Sequence, residues 1–86
     1  MYKVEYRSEA DEDLEKLDKS TRERVTKKVH WLAEYIENIK PEMLGGNYRG
    51  VYKLRIGNWR VIYGISHTQK TITVYTIGHR SEIYKT

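Results

Sequence analysis

Two runs rich in Val, Ile, Tyr and Trp, residues 51–56 and 59–66, are separated only by Gly57-Asn58. That spacing constrains the chain more than any other feature. A two-residue connection with glycine at its first position makes an antiparallel hairpin, and turn length sets the register. Ile56 then faces Trp59, Arg55 faces Arg60, Leu54 faces Val61 and Tyr52 faces Tyr63. Alternation sorts the side chains onto two faces. One carries Tyr52, Leu54, Ile56, Trp59, Val61, Tyr63 and Ile65, so it needs a cover. The other carries Val51, Lys53, Arg55, Arg60, Ile62 and Gly64.

The first half supplies the cover. Residues 2–7 alternate as a strand. Ser8-Glu9-Ala10-Asp11 has the pattern of a capping box, with Ala10, Leu14 and Leu17 at helical spacing after it. Ser20-Thr21-Arg22-Glu23 repeats the signal for a longer helix with the stripe Val25, Val29, Leu32 and Ile36. Pro41 and Gly45-Gly46 are the expected stops. A third sheet run, residues 71–78, follows a turn at 67–70. The predicted order is β-α-α-β-β-β. This is an α+β fold, with a two-helix hairpin packed on one face of a mainly antiparallel sheet and a short C-terminal tail. A single domain spans residues 1–86.

Composition excludes several classes. Eighty-six residues leave little room for a cofactor pocket, so none is expected. The absence of cysteine removes disulfides and thiolate metal sites, and no other metal site is evident. No apolar run approaches the roughly 18 residues of a membrane span, and the N-terminus alternates too early for a signal peptide. The expected location is the cytoplasm.

Charge is uneven. Residues 44–86 hold seven bases and one acid, Glu82, whereas residues 8–43 hold ten acids and seven bases. A basic excess alone is often no more than a solvated face, but register adds to it. Lys53, Arg55 and Arg60 share the face away from the helices, and two of them lie directly opposite. Like charges there are destabilising by up to about 1 kcal/mol. With Glu82 the sole carboxylate in this half, the expectation is that an anion completes the site. Two guanidinium forks with a lysine suit phosphate. The last strand exits beside Arg60, so His79, Arg80 and Tyr84 are expected to reach the same face. His79 is a possible acid or base, because histidine titrates near neutrality. His30 and His67 read as solvated surface residues.

Lys53-Leu54-Arg55-Ile56-Gly57-Asn58-Trp59-Arg60-Val61-Ile62-Tyr63 followed by Ile77-Gly78-His79-Arg80-Ser81-Glu82-Ile83-Tyr84 resembles the RelE branch of the RelE/ParE toxin superfamily. The resemblance covers the whole chain. It implies a toxin of a type II toxin–antitoxin pair, a ribosome-dependent mRNA endonuclease that cuts in the A site by 2′-OH attack on the adjacent phosphate and so inhibits translation. Its implied partners are a cognate antitoxin, the ribosome and mRNA, with no membrane and no small-molecule cofactor. The family's catalytic positions fall on Lys53, Arg55, Arg60, Arg80 and Tyr84. Arg55 stands where many members have lysine. As a permanently charged group it stabilises a pentacoordinate phosphate rather than acting as base. Lys53 is the candidate base, with a simple phosphate contact as its alternative. Tyr84 is a candidate stacking platform for an mRNA base. The competing readings are a ParE-like DNA gyrase inhibitor and a non-catalytic nucleic-acid-binding module.

Overall fold

The computed structural model describes residues 1–46 and 48–83. In chain order its elements are β1 (Lys3–Tyr6), α1 (Ser8–Glu15), α2 (Lys19–Tyr35), β2 (Glu42–Met43), β3 (Val51–Ile56), β4 (Trp59–Ser66), β5 (Thr71–His79) and α3 (Arg80–Ile83). The hairpin forms in the register its turn dictates, with Ile56 opposite Trp59, Arg55 opposite Arg60 and Tyr52 opposite Tyr63. Gly57 takes a φ of 59°, the left-handed conformation that a side chain would strain.

The five strands lie in the order β1-β5-β4-β3-β2. All neighbours are antiparallel except β1 and β5, which run parallel. The expected α+β architecture is observed, with two elements added: the two-residue strand β2 and the short helix α3. The helix-facing side forms the core. Val25, Val29, Leu32 and Ile36 of the α2 stripe are buried, together with Val61, Tyr63, Ile72 and Val74 of the sheet. Burying a Val, Leu or Ile side chain is worth roughly 1.5–3 kcal/mol each, which makes this stripe the main tie between helix and sheet.

The helix ends differ from expectation. Ser8 lies inside α1; its N-cap is Arg7, with no side-chain cap hydrogen bond. The cap of α2 is Asp18, whose carboxylate accepts from the Thr21 amide at 3.3 Å. The helix therefore starts before Ser20. It ends at Tyr35, with Ile36 as C-cap, ahead of Pro41. Arg22 reaches back to the carbonyls of Leu14 (3.1 Å) and Leu17 (3.0 Å), tying the start of α2 to the end of α1 and the connection after it.

A bulge reshapes β5. The register passes from Ile62–Thr76 to Tyr63–Val74, leaving Tyr75 as the extra residue. A Cβ on Gly64 would fall 2.6 Å from the Tyr75 hydroxyl, so the tyrosine ring lies across the glycine backbone. The Arg7 guanidinium stands 5.6 Å from that ring's centroid.

Candidate nucleic-acid interface

The hairpin delivers the expected cross-strand pair, Arg55 opposite Arg60, with Lys53 two residues along on the same face. Their surroundings correct the picture of a bare cationic face. Arg60 is only 8% exposed. Its Nη1 donates to the carbonyls of Gly57 (2.8 Å) and Trp59 (2.9 Å), while its buried Nε has no partner. A buried donor left unpaired costs about 1–3 kcal/mol. Arg60 thus braces the turn and keeps one donor unsatisfied.

Lys53 and Arg55 are also not unneutralised. Glu42 pairs with Lys53 across β2 and β3. Its Oε2 accepts from Arg55 Nη2 at 2.9 Å and lies 3.4 Å from Lys53 Nζ. The expectation that Glu82 alone could supply a carboxylate therefore fails, because β2 brings Glu42 in from the other half. Desolvation pushes the Glu42 carboxyl up, but the hydrogen bonds and charges of Arg55 and Lys53 outweigh it. The net effect holds the carboxyl below its usual range. Arg55 remains 58% exposed, and the Lys53 side chain only 15%.

The C-terminal residues divide. Gly78, not His79, lies opposite Arg60; His79 pairs with Trp59. Its ring meets the Trp59 ring edge-on at 5.5 Å. Its Nδ1 lies 2.8 Å from the Ser81 hydroxyl and accepts from the Ser81 amide at 3.2 Å. The alternation that puts Arg60 on one face puts His79 on the other, so the expected reach of His79 to the cations is not found. Arg80 is exposed. Its amide donates to the Asn58 carbonyl at 2.8 Å, which sets it beside the turn that Arg60 braces. Arg80 makes no ion pair with Glu82 among the described residues. Tyr84 lies outside the described residues.

Other expectations also shift. Ile83 of α3 rests over Gly78, where a Cβ would meet it at 3.2 Å. An open groove of about 490 Å³ runs along the same sheet face, lined by Leu44, Tyr48, Val51, Ile62, Thr76 and Ile83 among others. It is more space than the chain length led us to expect. His67 is bonded through Nδ1 to the Tyr2 hydroxyl at 2.8 Å rather than simply solvated. The described residues hold no cluster of three or more His, Asp or Glu suited to a metal ion.

Residues 4–84 match the model of the ParE toxin of type II toxin–antitoxin systems, parDE. The chain belongs to this toxin family. No curated protein matches the toxin in sequence. Its fold is that of RelE toxins. The toxin in the RelBE2 toxin–antitoxin complex from Mycobacterium tuberculosis superposes with a TM-score of 0.81 at 24% identity, over 92% of this chain and 98% of that one. The isolated Escherichia coli RelE toxin gives 0.78 at 24% identity, over 98% and 92%. The archaeal RelE–RelB complex from Pyrococcus horikoshii gives 0.70 at 24% identity, over 94% and 97%. Among the described residues of the toxin no helix is long and apolar enough to cross a membrane.

Proposed function

We propose that this toxin is a ribosome-dependent endoribonuclease that cuts mRNA in the A site and is held in check by a cognate antitoxin. The observation that carries the reading is the cross-strand pair Arg55–Arg60 with Lys53 on the same face and Arg80 anchored beside their turn. Four cations thus share one end of the sheet, and Glu42 pairs with two of them, Lys53 and Arg55. In the proposed reaction the 2′-oxygen bonds to phosphorus as the bond to the 5′-oxygen breaks. The 2′ proton passes to a water molecule, and the leaving 5′-oxygen takes one up from water. Arg55 stabilises the charge that builds on the phosphate, usually the largest contribution in such steps, and Arg60, buried with its Nη1 on the turn carbonyls, adds its positive charge from beneath that surface. Lys53, ion-paired to Glu42, serves as a phosphate contact rather than as the base. Arg80 stabilises the leaving oxygen, and Tyr84 is the proposed stacking platform.

Mapping the 5′ ends of a message in a translation extract tests this. The wild-type toxin is expected to cut in the A site, and Arg55→Ala and Arg80→Ala, both at exposed positions, to slow cutting by about 100-fold or more. Arg60→Lys keeps a charge without the two-carbonyl brace and is expected to lose most activity while remaining folded. Messages left intact by the wild-type toxin would end the reading. The second reading, a gyrase inhibitor, is favoured by the ParE family model itself. Its signature is altered plasmid topology in the presence of gyrase with messages intact. RNA or DNA binding with neither effect would point to a non-catalytic module.

A further inference from the structure

A second set of cations meets the hairpin tip from the helix layer. Arg24, Lys27, Lys28, Trp31 and Tyr35 recur at i, i+3, i+4, i+7 and i+11 along α2, so they share one flank of the helix. The buried stripe of Val25, Val29 and Leu32 faces the sheet instead. An open groove of about 440 Å³ is lined by Arg24, Lys27, Lys28, Trp31 and Ile56. Among the described residues no carboxylate lines it. Glu23 and Glu34 lie beyond Lys27, and neither forms an ion pair with these cations among the described residues.

Two of the cations are held in place. Lys28 Nζ sits 3.8 Å from the centroid of the Trp31 ring, a cation–π contact that fixes an otherwise mobile ammonium. Arg24 lies against the β3–β4 turn, since a Cβ on Gly57 would fall 3.0 Å from its Nη2. The same two-residue turn receives the Arg60 guanidinium on the Gly57 carbonyl and the Arg80 amide on the Asn58 carbonyl. Cationic residues from α2, β4 and α3 therefore converge on one hairpin tip.

We infer that the Arg24–Lys27–Lys28 flank of α2 is a second RNA-backbone contact, continuous round the hairpin tip with the Arg55–Arg60 site. It rests on the RNA reading above and adds where the strand runs once it leaves the scissile phosphate. The chemistry favours RNA over a protein helix. A helix laid in a groove needs apolar anchors; here Ile56 is buried, Trp31 is partly buried with the Lys28 ammonium on its ring, and the exposed Tyr35 offers a ring on which an RNA base can stack.

The test is fluorescence anisotropy with a labelled, non-cleavable 20-nucleotide 2′-O-methyl RNA single strand, titrated against full-length toxin at several salt concentrations. Arg24→Ala/Lys27→Ala changes two exposed positions, and its thermal midpoint reports whether it folds. Losing two phosphate contacts on a single strand lowers the slope of log K against log salt by about 1.4, and roughly tenfold weaker binding is expected with it. Glu23→Gln/Glu34→Gln is expected to bind as well as the wild type or better. An unchanged affinity and slope in the Arg24/Lys27 variant, or no RNA binding by the wild type, would overturn the inference. So would a variant that loses a 20-residue polyglutamate peptide but keeps RNA, which would mark a protein-docking surface. If the wild type never cuts a message yet binds RNA through α2, the nuclease reading falls and this one stands. If it cuts and its RNA binding ignores α2, only this one falls.

Discussion

Glu42 is a carboxylate whose worth depends on its protonation. Arg55 and Lys53 hold its carboxyl below the usual range, so its contribution to stability is present above the unfolded-state value and is lost as pH falls through the folded one. Glu42→Gln is therefore expected to unfold at lower urea than the wild type at pH 7. The gap should close as the buffer drops well below about 4.3, the ordinary glutamate value, and urea midpoints across pH would show it. The same variant removes the carboxylate bonded to Arg55 and is expected to bind RNA more tightly. Tyr63 gives a second titration: burial pushes its phenol up to about 12. Absorbance at 295 nm should then show a tyrosine still un-ionised where exposed ones have lost their proton. Because the folded value is raised, the stability it contributes persists below the unfolded value near 10 and is lost as pH rises towards 12. Gly64→Ala places a methyl against the Tyr75 ring. Overpacking of that kind costs about 1–3 kcal/mol, readable as a lower thermal midpoint.

Among the elements, β5 depends on a contact that is remote in sequence. β1 stops at Tyr6, opposite Val74, and beyond it the Ile77 amide is taken by the Asp13 carboxylate of α1 at 2.8 Å. Asp13→Ala leaves that partly buried donor unpaired and is expected to cost about 1–3 kcal/mol, with faster hydrogen exchange at Ile77 than at Val61. How much of each element could be read from sequence follows how local its cause is. β3 and β4 were legible to the residue because the Gly57-Asn58 turn fixes both strand ends and register. β2 was not, because two residues, Glu42 and Met43, carry no periodicity and exist as a strand only through pairing with β3. The start of α2 was missed by two residues because Asp18 and Ser20 are both good caps, and only the tertiary path selects between them. The candidate site shows the same division. Arg55 facing Arg60 followed from the turn; the Glu42 counter-ion did not, because it depended on the unseen strand. His79 was misplaced because the bulge at Tyr75, which no periodicity announces, shifts the register by one, setting Gly78 opposite Arg60 and turning His79 to the other face.

For the whole molecule, Arg24, Arg55, Arg60 and Arg80 gather around one hairpin tip while the acids of residues 8–18 sit on and beside α1. Nucleic-acid affinity should then be strongly salt-dependent. With three or four phosphates neutralised, log K should fall with log salt at a slope of roughly −2 to −3, and a flat response would remove the anion-site reading. The parallel pairing of β1 with β5 has a consequence for biosynthesis. The first strand to emerge must wait for the last before it has any sheet neighbour, and such distant pairings form slowly. Nascent chains stopped before Thr71 lack the strand that joins β1 to the rest of the sheet and should be harmless to the cell, so toxicity would switch on only once that strand has been made.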